Sequence, residues 1–238
     1  ALIGLAGRTD WYFWHKKLPE DLMPHQNYLV RSWNPVDLLL SFRNQNIFIL
    51  QGNRDTTVDP AHASRFSEEL KKNAIPHSYV ELNGDHMSIF RRVKDRELND
   101  EVATVLRVPG DKVSYRAFFP MYAKSRWLST PLFAEWGKPV EATGEVEGNR
   151  VTVTVENAMR VVIKPEPGLL FPGSRVEVAI NGVEHPPVEL PAEGLVFDLI
   201  TVPAGLLKTP ELSGPVWPIT MRPFAIVYGS ESDQEKAA

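Results

Sequence analysis

The sequence predicts an α/β chain in two parts, a parallel sheet over residues 1–107 and an antiparallel, β-sandwich-like unit over residues 108–238. Three observations carry this prediction. Three short apolar runs in the first part each close on a glycine-containing turn, as strands buried on both faces do. The second and third runs are separated by a single amphipathic stretch, the spacing of a strand–helix–strand crossover. From about Arg107 onward, strict apolar–polar alternation replaces helical periodicity.

In order along the chain, Leu2 to Ala6 is the first run and ends at Gly7. A cluster follows, Trp11-Tyr12-Phe13-Trp14, and later the stretch Pro35-Val36-Asp37-Leu38-Leu39-Leu40. Two readings of the aromatic cluster stay open: an insertion packed on the sheet, or one wall of a substrate cleft at the carboxyl end of a strand. Asn46 to Gln51 is the second run and Gly52 closes it. Asp59 and Pro60 supply an N-cap and a first-turn signal. The helix that follows places Ala63, Phe66, Ser67 and Leu70 on one stripe, with Glu68, Glu69, Lys71 and Lys72 outside it. His77 to Leu82 is the third strand, ended by Asn83-Gly84.

Pro109-Gly110 breaks the chain, and the later half is rich in proline. Val151 to Val155 and Arg175 to Ile180 alternate with period two, and Gly148-Asn149 and Asn181-Gly182 are hairpin-type turns beside them. Leu195 to Thr201 and Phe224 to Tyr228 add two further strands, and the tail from Ser230 to Ala238 is polar. No internal repeat is present.

Composition narrows the classes. With 238 residues, 43% of them hydrophobic, the chain can hold one large core or two modest ones and is not a disordered polymer. A net charge of −4 gives no electrostatic reason to expect nucleic acid as a partner. No apolar run approaches the length of a transmembrane helix, so no membrane span is expected. The apolar amino end lacks a basic region and is too short for a signal peptide with its cleavage site; it reads as a core strand that begins abruptly. The absence of cysteine rules out disulfides, thiolate metal sites and cysteine nucleophiles.

Two residues stand out chemically. Asp55 lies three positions after Gly52, at the end of a buried strand, where a carboxylate can orient an imidazole. Taken alone it would read as a turn aspartate bonding nearby amides. His86 follows Asn83-Gly84-Asp85 after the next strand, where an imidazole can serve as general base and then general acid. Taken alone it would read as a surface-loop histidine. Adjacent parallel strands joined by one helix bring both side chains to the same rim of the sheet, in the acid-then-histidine order of a Ser-His-Asp triad. No serine lies on a G-x-S-x-G turn, and Ser32, Ser41, Ser64 and Ser88 are rejected as nucleophiles on that ground. His15, His25, His62, His77 and His185 form no compact ligand pattern, and there is no P-loop, G-x-G-x-x-G or H-E-x-x-H, so neither a metal nor a nucleotide cofactor is expected. Lys71-Lys72 and Arg91-Arg92 read as solvated helix faces.

The run Gly52-Asn53-Arg54-Asp55-Thr56-Thr57-Val58-Asp59-Pro60, followed by Gly84-Asp85-His86, resembles the carboxyl-terminal catalytic region of α/β-hydrolases, in particular the prolyl-oligopeptidase-like serine peptidases and esterases. The resemblance covers about Ala1 to Arg107. It implies the carboxyl-terminal half of a hydrolase sheet, with Asp55 as the acid and His86 as the base. The serine would then sit on an upstream segment or a separate chain, and the substrate would be a peptide or an ester. More weakly, the later half resembles the β-rich tail of bacterial secreted relatives, through Ser213-Gly214-Pro215-Val216 and the strand Phe224 to Tyr228. That likeness implies a secreted or periplasmic protein, truncated here at both ends, which is either one product of proteolytic processing with its other pieces in the same oligomeric particle or a fragment of a longer chain.

The rival expectation is a non-catalytic structural or binding protein on a degenerate hydrolase fold, with the β-rich half as the working part. A carbohydrate-binding role for that half would rest on Trp127, Trp136 and Trp217, residues that more often belong to a core.

Overall fold

A computed structural model of the chain describes residues 2–5, 7–93 and 110–200. Helices accompany three sheets, one parallel and two largely antiparallel. The junction expected near residue 107, the strand at 224–228 and Trp217 lie outside the described residues.

The first part contains β1 (Leu2–Leu5), α1 (Trp11–His15), α2 (Pro24–Arg31), a 3-10 segment (Pro35–Phe42), β2 (Ile47–Gly52), α3 (Ala61–Lys72), β3 (His77–Leu82) and α4 (His86–Val93). The three strands pair in parallel in the order β1-β2-β3, which makes β2 central. Centrality explains why Ile47, Ile49, Leu50, Gln51 and Gly52 are all buried. Ile47 and Ile49 pack against Ala63, Phe66 and Leu70 of α3 and against Ile75, and each apolar side chain so buried contributes about 1.5–3 kcal/mol.

Helix α3 begins one residue later than the sequence predicts. Pro60 occupies the cap position, and the Asp59 carboxylate accepts from the Ala61 amide at 2.9 Å. The helix ends in a left-handed residue, Ala74 at φ +53°, with the Ile75 amide returning to the Leu70 carbonyl at 2.9 Å. His62, absent from the predicted stripe, is buried alongside it.

The second part contains β4 (Lys112–Ala117), β5 (Lys124–Ser125), β6 (Leu128–Phe133), β7 (Val140–Glu147), β8 (Arg150–Glu156), β9 (Ala158–Ile163), β10 (Arg175–Ile180), β11 (Val183–Glu189) and β12 (Leu195–Asp198). One sheet has the order β11-β10-β8-β7-β4 and the other β12-β9-β6-β5. Val113, Val140, Val151, Val153, Val178 and Ile180 of the first meet Leu128, Phe133, Val161 and Ile163 of the second in one apolar core. The predicted turns lie where expected. Gly148-Asn149 joins β7 to β8, with Glu147 opposite Arg150. Asn181-Gly182 joins β10 to β11 with both residues at positive φ, as a type I′ turn requires.

Two expectations need correction here. The β-rich part is not purely antiparallel, because β8 and β10 pair in parallel. The reason is that β9 leaves for the other sheet, so the chain re-enters the first sheet running in the same direction as β8. Trp127 is no binding platform: it is 1% exposed, deep in the core, with its ring against Gly144. Trp136 is exposed and stacks on Phe133.

The two parts meet along β4, an outer strand of its sheet. The 3-10 segment runs beside it: Ser114 Oγ donates to the Leu40 carbonyl at 2.8 Å, and Ser41 Oγ both donates to the Arg116 carbonyl at 3.2 Å and accepts from the Arg116 amide at 3.1 Å. Asn44 donates to the Ser114 carbonyl at 2.9 Å. Side chains and carbonyls of a 3-10 turn thus stand in for a neighbouring strand. No helix among the described residues is long and apolar enough to cross a membrane.

Candidate active site

The site forms where the loops after β2 and β3 are stitched together. The Asn53 amide donates to the Leu82 carbonyl at 2.9 Å, the Arg54 amide to the Gly84 carbonyl at 2.9 Å, and the Gly84 amide to Asn53 Oδ1 at 3.2 Å. The backbones come so close at Gly52 that a Cβ there would lie 2.6 Å from the Gly84 carbonyl oxygen. Glycine is therefore required for steric reasons at the end of β2.

Asp55 leaves this crossing with its side chain wholly inaccessible to solvent. Its Oδ1 accepts from the amides of Thr57 at 2.8 Å and Val58 at 2.9 Å. Its Oδ2 accepts from His86 Nδ1 at 2.7 Å and from Gln51 Nε2 at 3.1 Å. Burial alone would raise the carboxyl pKa. The Val58 amide, His86 and the Thr57 amide together outweigh it and hold the group below its ordinary 3.8, so Asp55 is ionised at neutral pH.

His86 is not on a loop, contrary to the expectation from its position. It is the first residue of α4. Asp85 caps that helix, accepting from the Ser88 amide at 2.9 Å and the Ser88 hydroxyl at 2.8 Å, while Ser88 Oγ accepts in return from the Asp85 amide at 3.1 Å. The Asp85…Ser88 spacing is the sequence signal for this helix start. The cap fixes the backbone of His86 and the carboxylate fixes its ring. With an ionised acceptor at Oδ2, Nδ1 carries the proton and Nε2 is the basic nitrogen. The imidazole is 28% exposed.

Compared with protein-family models, with curated proteins and with solved structures, the chain has no match in any of the three.

Each serine weighed in the sequence has a structural engagement. Ser88 caps α4, Ser41 serves the β4 edge, and Ser32 and Ser64 donate to the Leu29 and Ala61 carbonyls of their own turns. A further serine–histidine contact was not foreseen: Ser67 Oγ lies 2.7 Å from His77 Nε2, while His77 Nδ1 donates to the Ile75 carbonyl at 2.9 Å. Ser67 is only 2% exposed, so this pair locks α3 to β3 and offers no route for a substrate.

The aromatic cluster packs on α3 and also borders a cavity. Phe13 and Trp14 pack on the buried ring of His62, and burial lowers the pKa of that imidazole. Tyr12, Phe13 and Trp14 also line, with Thr56, Thr57 and Asp59, a cavity of about 740 Å³ beside the acid loop. No group of three or more His, Asp or Glu side chains among the described residues is arranged to hold a metal. Lys72 pairs with Glu69 at 2.6 Å on the exposed face of α3.

Proposed function

We propose that this chain supplies the acid and the base of a serine hydrolase, with its first 107 residues forming the carboxyl-terminal half of an α/β-hydrolase sheet and residues 108–238 an accessory β domain. The observation that carries the reading is the 2.7 Å bond from His86 Nδ1 to a buried, ionised Asp55 at the carboxyl ends of adjacent parallel strands. Since the sequence holds no G-x-S-x-G turn, the nucleophile belongs to another segment or a separate chain.

In this mechanism the serine hydroxyl attacks an acyl carbon while Nε2 of His86 takes its proton. The imidazolium is stabilised by Asp55 and then protonates the leaving amine or alkoxide. Water repeats the sequence to release the acid. The substrate is a peptide or carboxylic ester, and the cavity walled by Tyr12, Phe13 and Trp14 is where part of it rests. The setting, by the same resemblance, is secreted or periplasmic.

Fluorophosphonate labelling of the native preparation, followed by mass spectrometry of labelled bands, tests the reading. Label on an associated polypeptide, or on a longer form containing these residues, is the expected result. Absence of label on every associated polypeptide would overturn it in favour of a non-catalytic protein on a degenerate hydrolase fold.

A further inference from the structure

Gln51 is the last residue of β2 before Gly52 and is fully buried. Its Nε2 donates to Asp55 Oδ2 at 3.1 Å, the same oxygen that receives His86 Nδ1, and lies 3.2 Å from the Gly52 carbonyl oxygen and 3.4 Å from that of Val58. Its own Oε1 is buried without a hydrogen-bond partner among the described residues. An orphaned buried oxygen is unfavourable, and such a group calls for an explanation. Turning the amide over would not relieve it, because Oε1 would then face three oxygens that can only accept. The surrounding oxygens therefore hold the amide with its N–H on Asp55.

We infer that Gln51 is a positioning residue, whose amide N–H sets the Asp55 carboxylate against His86 Nδ1 and shares the charge of the oxygen that binds the imidazole. Its consequence for turnover rests on the hydrolase reading above; its effect on the His86 ring does not. Without this donor, Oδ2 keeps more of its charge for His86. The imidazolium is then held more tightly, and the carboxylate, with one restraint fewer, orients the ring less well.

The test is ¹⁵N NMR of the His86 ring in the full chain, comparing wild type with Q51L and Q51M, which keep the volume and remove the donor. Both variants are expected to fold and to move the His86 ring ¹⁵N signals away from the wild-type Nδ1–H pattern at neutral pH. In the assembled hydrolase kcat is expected to fall about tenfold with KM unchanged, since the residue touches no substrate. Folded variants whose His86 ring shifts match wild type would overturn the inference. So would failure of both to fold, which would make Gln51 a residue of the core alone. Altered ring signals with no fluorophosphonate label on any associated polypeptide would leave the positioning role standing and remove the hydrolase.

Discussion

The parallel sheet and the β sandwich bury different kinds of side chain. Among the described residues, Asn34, Gln51, Asp55, His62 and Ser67 are buried polar groups of the first part, against Ser114 and Thr130 in the second. In the sandwich the one buried side-chain pair, Tyr115 and Thr130, closes on itself at 2.9 Å within a large core of valine, isoleucine and leucine. In the parallel part Gln51 and Asp55 meet at the carboxyl end of β2, and one oxygen there, Gln51 Oε1, has no partner among the described residues. Burying polar groups opposes folding unless they are paired, so the parallel part depends on its internal hydrogen bonds more than the sandwich does. One region closes on an apolar core, and the other holds an imidazole against a buried carboxylate.

The sharpest way to break that contrast is Asp55→Asn. The amide keeps the volume but reverses the ring tautomer, and in the assembled hydrolase proposed above acyl turnover is expected to fall by about three to four orders of magnitude with the circular dichroism unchanged. Near-normal turnover would remove Asp55 from the mechanism. Trp127→Ala attacks the other side of the comparison. It should lower stability by about 3–5 kcal/mol in urea melts while turnover per folded molecule stays at the wild-type level.

Gly52→Ala lies between these. The new methyl meets two backbone oxygens, at 2.6 and 2.7 Å, so the two loops must part. A displacement near 1 Å is enough to reduce turnover by about a hundredfold. A turnover within threefold of wild type would show that the crossing does not set the site geometry.

The smallest effect is in acid. Asp55 titrates below 3.8 in the fold, so it stabilises the folded state above that value and the contribution is lost as pH falls toward the folded value. His62 is held below its ordinary 6.5 by burial, so its neutral form stabilises the fold above 6.5, and that contribution fades as pH falls further. Hydrogen exchange should show α3 and the α1 segment loosening between about pH 6 and 4 before the sandwich strands do. Equal loosening of both parts would contradict this account.

Much of this architecture was legible in local pattern. The apolar runs at Ile47 and His77, the stripe of α3 and the turns at Gly148-Asn149 and Asn181-Gly182 each follow from spacing within a few residues. Asp55 and His86 were singled out because adjacent parallel strands end on the same rim. What escaped depends on the chain returning from elsewhere. Gln51 looked like a strand residue, and its only signal was a polar side chain closing the run Ile47-Phe48-Ile49-Leu50. Its role appears only once the loop at 55–58 folds back over it. The Ser67–His77 contact and the parallel pairing of β8 with β10 likewise join residues that no periodicity connects.

The 3-10 turn that sits against β4 has a consequence for handling the two parts separately. A sandwich excised from the chain would leave the Ser114 carbonyl and the Arg116 amide and carbonyl on the outer edge of β4 bare, and an uncovered strand edge recruits another of its kind. Protection of that edge of the β-rich part thus comes from its neighbour. Any attempt to isolate the sandwich should carry residues 35–44 with it, or substitute a charge on the outer strand to keep copies apart.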